Sequence, residues 1–213
     1  CFDMGFTTLR DLGMNGTRGL LVNELCAVRD SIEAGIVEGP RMLIGGFTTI
    51  TGSHLDLIQP RAAQRYGFQT ADGPWELRKL ARTNLLAGCD IVKTCATGGG
   101  GTDKEEPDIR NMTQEEINAI VDEAHAFHKT AAVHCFTPNG QRMALEAGAD
   151  TIEHMVFHDD ETVDMIAEAG TWMTPTLLHR TDHAIGTRKD QGTSQFVLNK
   201  MKALQPYCFE TFQ

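Results

Sequence analysis

No stretch of this 213-residue chain approaches the roughly 20 consecutive apolar residues that cross a bilayer. The opening residues CFDMGFTTLR also lack the basic-then-apolar pattern of a secretory leader. Together these absences set the expectation of a cytoplasmic chain with no membrane partner. Positive charge is scarce as well: 19 Lys and Arg stand against 29 Asp and Glu, giving a net charge of −10. Such a surface repels a phosphate backbone, and no Lys/Arg stripe interleaved with aromatics offsets it. A nucleic-acid partner is therefore without support, and a small molecule is expected instead. The six cysteines (Cys1, Cys26, Cys89, Cys95, Cys135, Cys208) include no CxxC pair. Cys89, Cys95 and Cys135 fall in or beside apolar runs, so the cysteines read as buried free thiols. Neither GxGxxG nor GxxxxGK[ST] occurs, which removes the phosphate-binding loop of a doubly wound nucleotide fold. No low-complexity linker divides the chain, and residues 1–213 are read as one unit.

What is present is a rhythm. Strand-like runs at 5–13, 41–50, 90–97, 130–137, 150–157 and 171–178 alternate with helical patterns. Ala-Gly closes a helical pattern at Ala34-Gly35, Ala87-Gly88, Ala147-Gly148 and Ala169-Gly170, where a left-handed cap suits glycine. The helix expected over 113–129 opens with Thr113 and Glu116 spaced as a capping box, followed by Ile117, Ile120, Val121 and Ala124 at helical spacing. Such alternation predicts a parallel sheet covered by helices, as an open sheet or a (β/α) barrel.

Polar residues near the strand ends favour the barrel, because all C-terminal strand ends of a barrel meet at one mouth. His54 follows the second run, Lys93 lies in the third, and His134 and His154 occupy equivalent places in the next two. A lone strand histidine is usually a satisfied core residue, but two on neighbouring strands suit a divalent metal. Lys93 has three readings: a core ion-pair partner, a Schiff-base nucleophile, or a carbamate. Burial lowers an amine's pKa and makes it reactive toward a carbonyl or carbon dioxide. The four glycines at 98–101 form either an anion nest or a mobile loop.

The stretches GFTTLRDLG, IVKTCATGG, AAVHCFT and TIEHM resemble the second, fourth, fifth and sixth strand motifs of the amidohydrolase superfamily, in its imidazolonepropionase-like and Xaa-Pro-dipeptidase (prolidase)-like branch. The resemblance implies an α/β fold of the (β/α)8 TIM-barrel type, of which this chain would supply about strands 2 to 7. It implies a metal-dependent hydrolase of C–N bonds in a small-molecule amide or dipeptide, with metal-activated hydroxide attacking the carbonyl. Lys93 would be carboxylated by carbon dioxide and its carbamate would bridge two divalent ions, expected to be zinc, while His134 and His154 bind the second. TITGSHLD resembles a third-strand segment whose histidine faces substrate, so His54 would be catalytic and substrate-binding. Arg61, Arg65 and Tyr66, on the loop that follows, are candidates for a lid or carboxylate clamp. The chain departs from the family pattern in three places. It shows no HxH pair and no eighth-strand aspartate, and Phe136 stands where relatives often carry His or Tyr. The first two departures suggest a middle segment with open sheet edges and a tendency to homo-oligomerise. Two alternatives remain: a non-catalytic segment, and an aldolase-type barrel using Lys93 as a Schiff base.

Overall fold

The computed structural model describes residues 2–13, 22–58 and 70–212. Within them run six strands: β1 (Thr8–Asp11), β2 (Arg41–Phe47), β3 (Ile91–Cys95), β4 (Thr130–Cys135), β5 (Thr151–His154) and β6 (Trp172–Thr174). All pair in parallel and in chain order. Helices α1 (Val22–Glu33), α2 (His54–Leu57), α3 (Pro74–Leu86), α4 (Gln114–Ala126), α5 (Pro138–Glu146) and α6 (Asp160–Ala169) occupy the crossovers, and α7 (Asp182–Asp190) and α8 (Gln195–Phe212) follow β6. Sequential strand order is the winding of a barrel, whereas a doubly wound sheet reverses direction partway. The sheet also curls. Arg10 on β1 donates to Thr151 Oγ1 (3.2 Å) and Glu153 Oε1 (2.9 Å) on β5 and to Thr174 Oγ1 (2.8 Å) on β6, across the concave side.

Strand alternation sorts the side chains into two faces. Val92, Ala96, Ala131, Val133, Cys135 and Ile152 face outward and form the main core with Leu77, Leu80 and Ala81 of α3 and Ile117, Ile120, Val121 and Ala124 of α4. Burying each of the larger residues contributes roughly 1.5–3 kcal/mol. The concave face receives Arg10, Lys93, His134 and Glu153 instead. Helix α4 starts as its sequence requires: Thr113 Oγ1 accepts from the Glu116 amide and Glu116 Oε2 accepts from the Thr113 amide at 2.9 Å. The other Glu116 oxygen accepts from the Gly73 amide at the start of α3, joining the two helices. Gly35, Gly88, Gly148 and Gly170 all have positive φ, the last as the left-handed cap of α6.

Every strand stops short of the apolar run that predicts it, and in two the cause is visible in the backbone. β6 ends at Thr174 because Pro175 has no amide to donate, and a 3₁₀ turn (Leu177–Arg180) follows. β5 ends at His154, where φ is 81°, with Met155 at 38°. Cys26, Cys89, Cys95, Cys135 and Cys208 are buried free thiols, while Cys1 lies outside the described residues.

Candidate active site

Strands β3, β4 and β5, with the start of α2 after β2, bring three imidazoles and one amine together. His134 and His154 meet edge to face with ring centres 4.7 Å apart, and His54 stacks on the His134 ring at 4.4 Å. His154 reaches this cluster only because its backbone leaves the strand conformation. Thr151 and Glu153 face the concave side, so a regular β5 would turn His154 outward; the left-handed φ swings it back. Glu153 and His154, adjacent in sequence, therefore both face inward.

Hydrogen bonds fix the imidazoles. His134 Nε2 donates to the Gly98 carbonyl at 3.0 Å, leaving the lone pair on Nδ1. His154 Nδ1 is bonded to Thr176 Oγ1 at 2.6 Å. His54 opens α2, with its amide held by Asn111 Oδ1 (2.9 Å) and its Nδ1 against Glu105 Oε1. Burial pushes both His134 and His154 well below the usual histidine range, and neighbouring positive charge adds to the shift. Both rings are neutral at pH 7, the form that donates an electron pair.

Lys93 lies one step below His134, its Cα registering with Ala132. It is 3% exposed, and its Nζ has no hydrogen-bond partner among the described residues. Burial lowers its pKa to about 8, against the opposing pull of Glu153. Glu153 is buried too, with Oε1 held by Arg10 and Thr151 and Oε2 unpartnered among the described residues. Sequence reasoning missed Glu153, because alternation allows only one of two adjacent strand residues to face inward. Arg10 and Glu105 were missed as ordinary charged residues of an edge strand and a loop.

The glycine run is neither a nest open to anions nor a mobile loop. Gly98, Gly99 and Gly100 are buried. A Cβ on Gly99 would fall inside the His54 ring, and one on Gly100 would press on Leu204 of α8 and the Arg180 guanidinium. Side chains are excluded because rings and helix α8 pack directly on this backbone. Lys200 of α8 donates to the carbonyls of Thr102 (3.1 Å) and Glu105, pinning the loop that carries Glu105. Phe136 stacks on His134 at 4.6 Å, and Arg180 lies over the Phe136 ring at 5.4 Å. Arg61, Arg65 and Tyr66 lie outside the described residues.

Among the described residues no three His, Cys, Asp or Glu side chains form a group able to hold a metal ion. The donors on offer are two neutral imidazoles and a buried, unpartnered amine. They fit a metal on condition that the lysine becomes an anionic oxygen ligand, as a carbamate would.

Comparison with known proteins agrees with this fold. The chain is 26% identical over 183 residues to ochratoxinase of Aspergillus niger, covering 78% of this chain and 36% of that protein. A solved Xaa-Pro dipeptidase with methionine bound in its active site matches with a TM-score of 0.82 at 30% identity, over 99% of this chain and 52% of that one. A prolidase complexed with N-methylphosphonate-L-proline matches with a TM-score of 0.85 at 27% identity, again over 99% of this chain and 52% of the other. The chain thus spans about half the length of these solved relatives, and less of the curated one. The model of the amidohydrolase family matches residues 2–197. With barrel winding, a lysine on one strand and histidines on the next two, this chain belongs to the amidohydrolase family.

Proposed function

We propose that this chain belongs to a metal-dependent hydrolase that cleaves the C–N bond of a small amide or dipeptide. The observation that carries the reading is Lys93: a buried amine without a hydrogen bond among the described residues, its pKa lowered by burial to about 8, beside two neutral imidazoles. A permanent ammonium is unfavourable there, whereas a neutral amine can take up carbon dioxide and become a carboxylate-like ligand. Lys93 as a carbamate, with His134 and His154, would hold divalent metal, two zinc ions in the complete site. When bound, the metal supplies Lewis acidity and an activated water.

The chain's own residues do the rest. His54, oriented through Nδ1 by Glu105, presents its other nitrogen to a carbonyl oxygen of the substrate and stabilises charge that develops there. Phe136 and the glycine wall exclude water from the imidazole cluster. Arg65 and Tyr66 remain proposed substrate contacts from the loop after His54. A cytoplasmic setting suits a buried thiol set and a site built on a carbamate. The aldolase alternative leaves three packed imidazoles without a role, which favours the hydrolase.

The test takes the protein in its longest natural form. ¹³C-bicarbonate should give a carbamate carbon resonance that is lost in Lys93→Ala. Dipeptide hydrolysis should fall with the bound metal in that variant and recover partly with short carboxylic acids. Lys93→Arg should not recover, because a guanidinium brings positive charge against the metals. Full activity in Lys93→Arg overturns the proposal.

A further inference from the structure

Two buried polar atoms on the concave face of the sheet lack a hydrogen bond among the described residues, Lys93 Nζ and Glu153 Oε2. Their residues are 3% and 0% exposed, so bulk water serves neither. The amine can donate and the carboxylate oxygen can only accept, and Glu153 is the strongest charge acting on Lys93. Yet no hydrogen bond joins the two.

Glu153 is held by one oxygen alone. Its Oε1 accepts from Arg10 Nη2 at 2.9 Å and from Thr151 Oγ1 at 2.7 Å, and Arg10 is steadied in turn by Thr174 Oγ1 at 2.8 Å. Fixing one carboxylate oxygen fixes the other, so Oε2 is an acceptor set in place in advance. The Arg10 charge also offsets that of Glu153, which leaves room for a second anion close by. Around Lys93 the choice of acceptors is short. Beside it in the sheet stand Phe47 of β2 and Ala132 of β4, whose side chains accept nothing. One inward step further along come His134 and Glu153, paired in register. The free lone pair of His134 is the one a metal would take.

Carboxylation changes what Lys93 asks of its surroundings. The Nζ lone pair forms a bond to carbon, one C–O π pair moves onto oxygen, and Nζ gives up one proton; drawn from bicarbonate, amine and bicarbonate yield carbamate and water. The nitrogen keeps a single hydrogen, and its lone pair is delocalised as in a peptide bond. That N–H is a donor in a dry interior and needs an acceptor. It also lies in the plane of the carbamate, so its direction fixes where the two oxygens aim.

We propose that Glu153 Oε2 accepts the N–H that Lys93 keeps after carboxylation, so that Glu153, anchored by Arg10, sets the plane in which the carbamate oxygens are offered to metal. This rests on the hydrolase reading above and adds to it a positioning residue that acts only through Lys93.

The metal-replete protein in its longest natural form is titrated with ¹³C-bicarbonate, and the carbamate carbon resonance is followed. Glu153→Gln is the isosteric probe. Arg10 and Thr151 both donate to Oε1, so the new amide turns its oxygen toward them and puts its NH₂ where Oε2 stood, donor against donor. Half-carboxylation should then need roughly 10- to 100-fold more bicarbonate, the range expected when a hydrogen bond to a charged group is lost. Charge alone pushes the other way, since removing a carboxylate eases the arrival of a new anion. Carboxylation that is unchanged or easier in Glu153→Gln therefore overturns the proposal. A second measurement needs no variant to fold: in crystals of the unsubstituted protein grown with bicarbonate, Lys93 Nζ should stand within about 3.2 Å of Glu153 Oε2. A carbamate whose N–H rests on His134, or whose nitrogen lies beyond about 3.5 Å from Oε2, overturns the proposal and keeps the hydrolase reading. A carbamate seated on Glu153 in a protein that cleaves no amide supports the proposal and defeats the hydrolase. Absence of any carbamate in the unsubstituted protein overturns both.

Discussion

Lys93 is the residue where the conflict between stability and function can be measured. Burial brings its pKa from 10.5 to about 8. Between those values the unfolded chain holds the proton and the folded chain has shed it, so unfolding takes up a proton and stability rises with pH across that window. Below about pH 8 the folded chain carries the full cost of the buried ammonium. Lys93→Met should therefore stabilise the metal-free chain at pH 7 by up to ~3 kcal/mol and flatten the rise between pH 8 and 10.5. Urea denaturation at pH 7 and pH 10 checks this; a less stable Met variant at pH 7 would show that the ammonium is compensated. Lys93, His134 and His154 were legible in the sequence because a polar residue in an apolar strand stands out. Glu153 was not, because it depends on a left-handed turn at His154 that no side-chain pattern announces. Glu105 was hidden for another reason: of two adjacent acids in a loop, only the packing of α8 decides which one turns toward His54.

Among the elements, strands and helices followed the apolar rhythm closely, and the glycine run did not follow its plain reading. A row of glycines usually marks freedom, but here it marks contact. Gly99→Ala should push the His54 ring out of its stack and destabilise the protein by about 1–3 kcal/mol, as forced overpacking does. Gly101→Ala is the matched control, since its added methyl meets only Ile58 at 3.4 Å and, at the nearest ring atom, His54 at 3.8 Å. Thermal melts of the two variants, with the His54 ring resonances, separate the cases; equal melting temperatures would mean that the wall is looser than its contacts imply. The wall was invisible in sequence because the group pressing on it, α8, lies about a hundred residues further along. β6 was overextended for a simpler reason: its apolar run continues past Pro175, but the hydrogen-bond ladder does not.

The whole molecule carries more surface than its mass requires. Its accessible area is 11331 Å², against about 9,700 Å² for a compact monomer of 23.4 kDa. Within the described sheet β1 and β6 each pair on one side only, and Trp172 at the start of β6 is 77% exposed. The 213-residue chain on its own should self-associate at micromolar concentration through these edges. Light scattering coupled to size exclusion checks it, and a monomer at every concentration would show that the edges are protected. Arg10 gives the curled sheet a history as well as a shape. Its partners Thr151, Glu153 and Thr174 lie 141 to 164 residues downstream. A ribosome adding about 5–20 residues per second needs roughly 8–30 s to deliver them. Throughout that interval the guanidinium of the first strand has nothing to hold, and Glu153, once made, enters a cavity whose other wall is already waiting. Among the described strands β1 pairs early with its neighbour β2, yet its arginine is fastened only when β5 and β6 arrive.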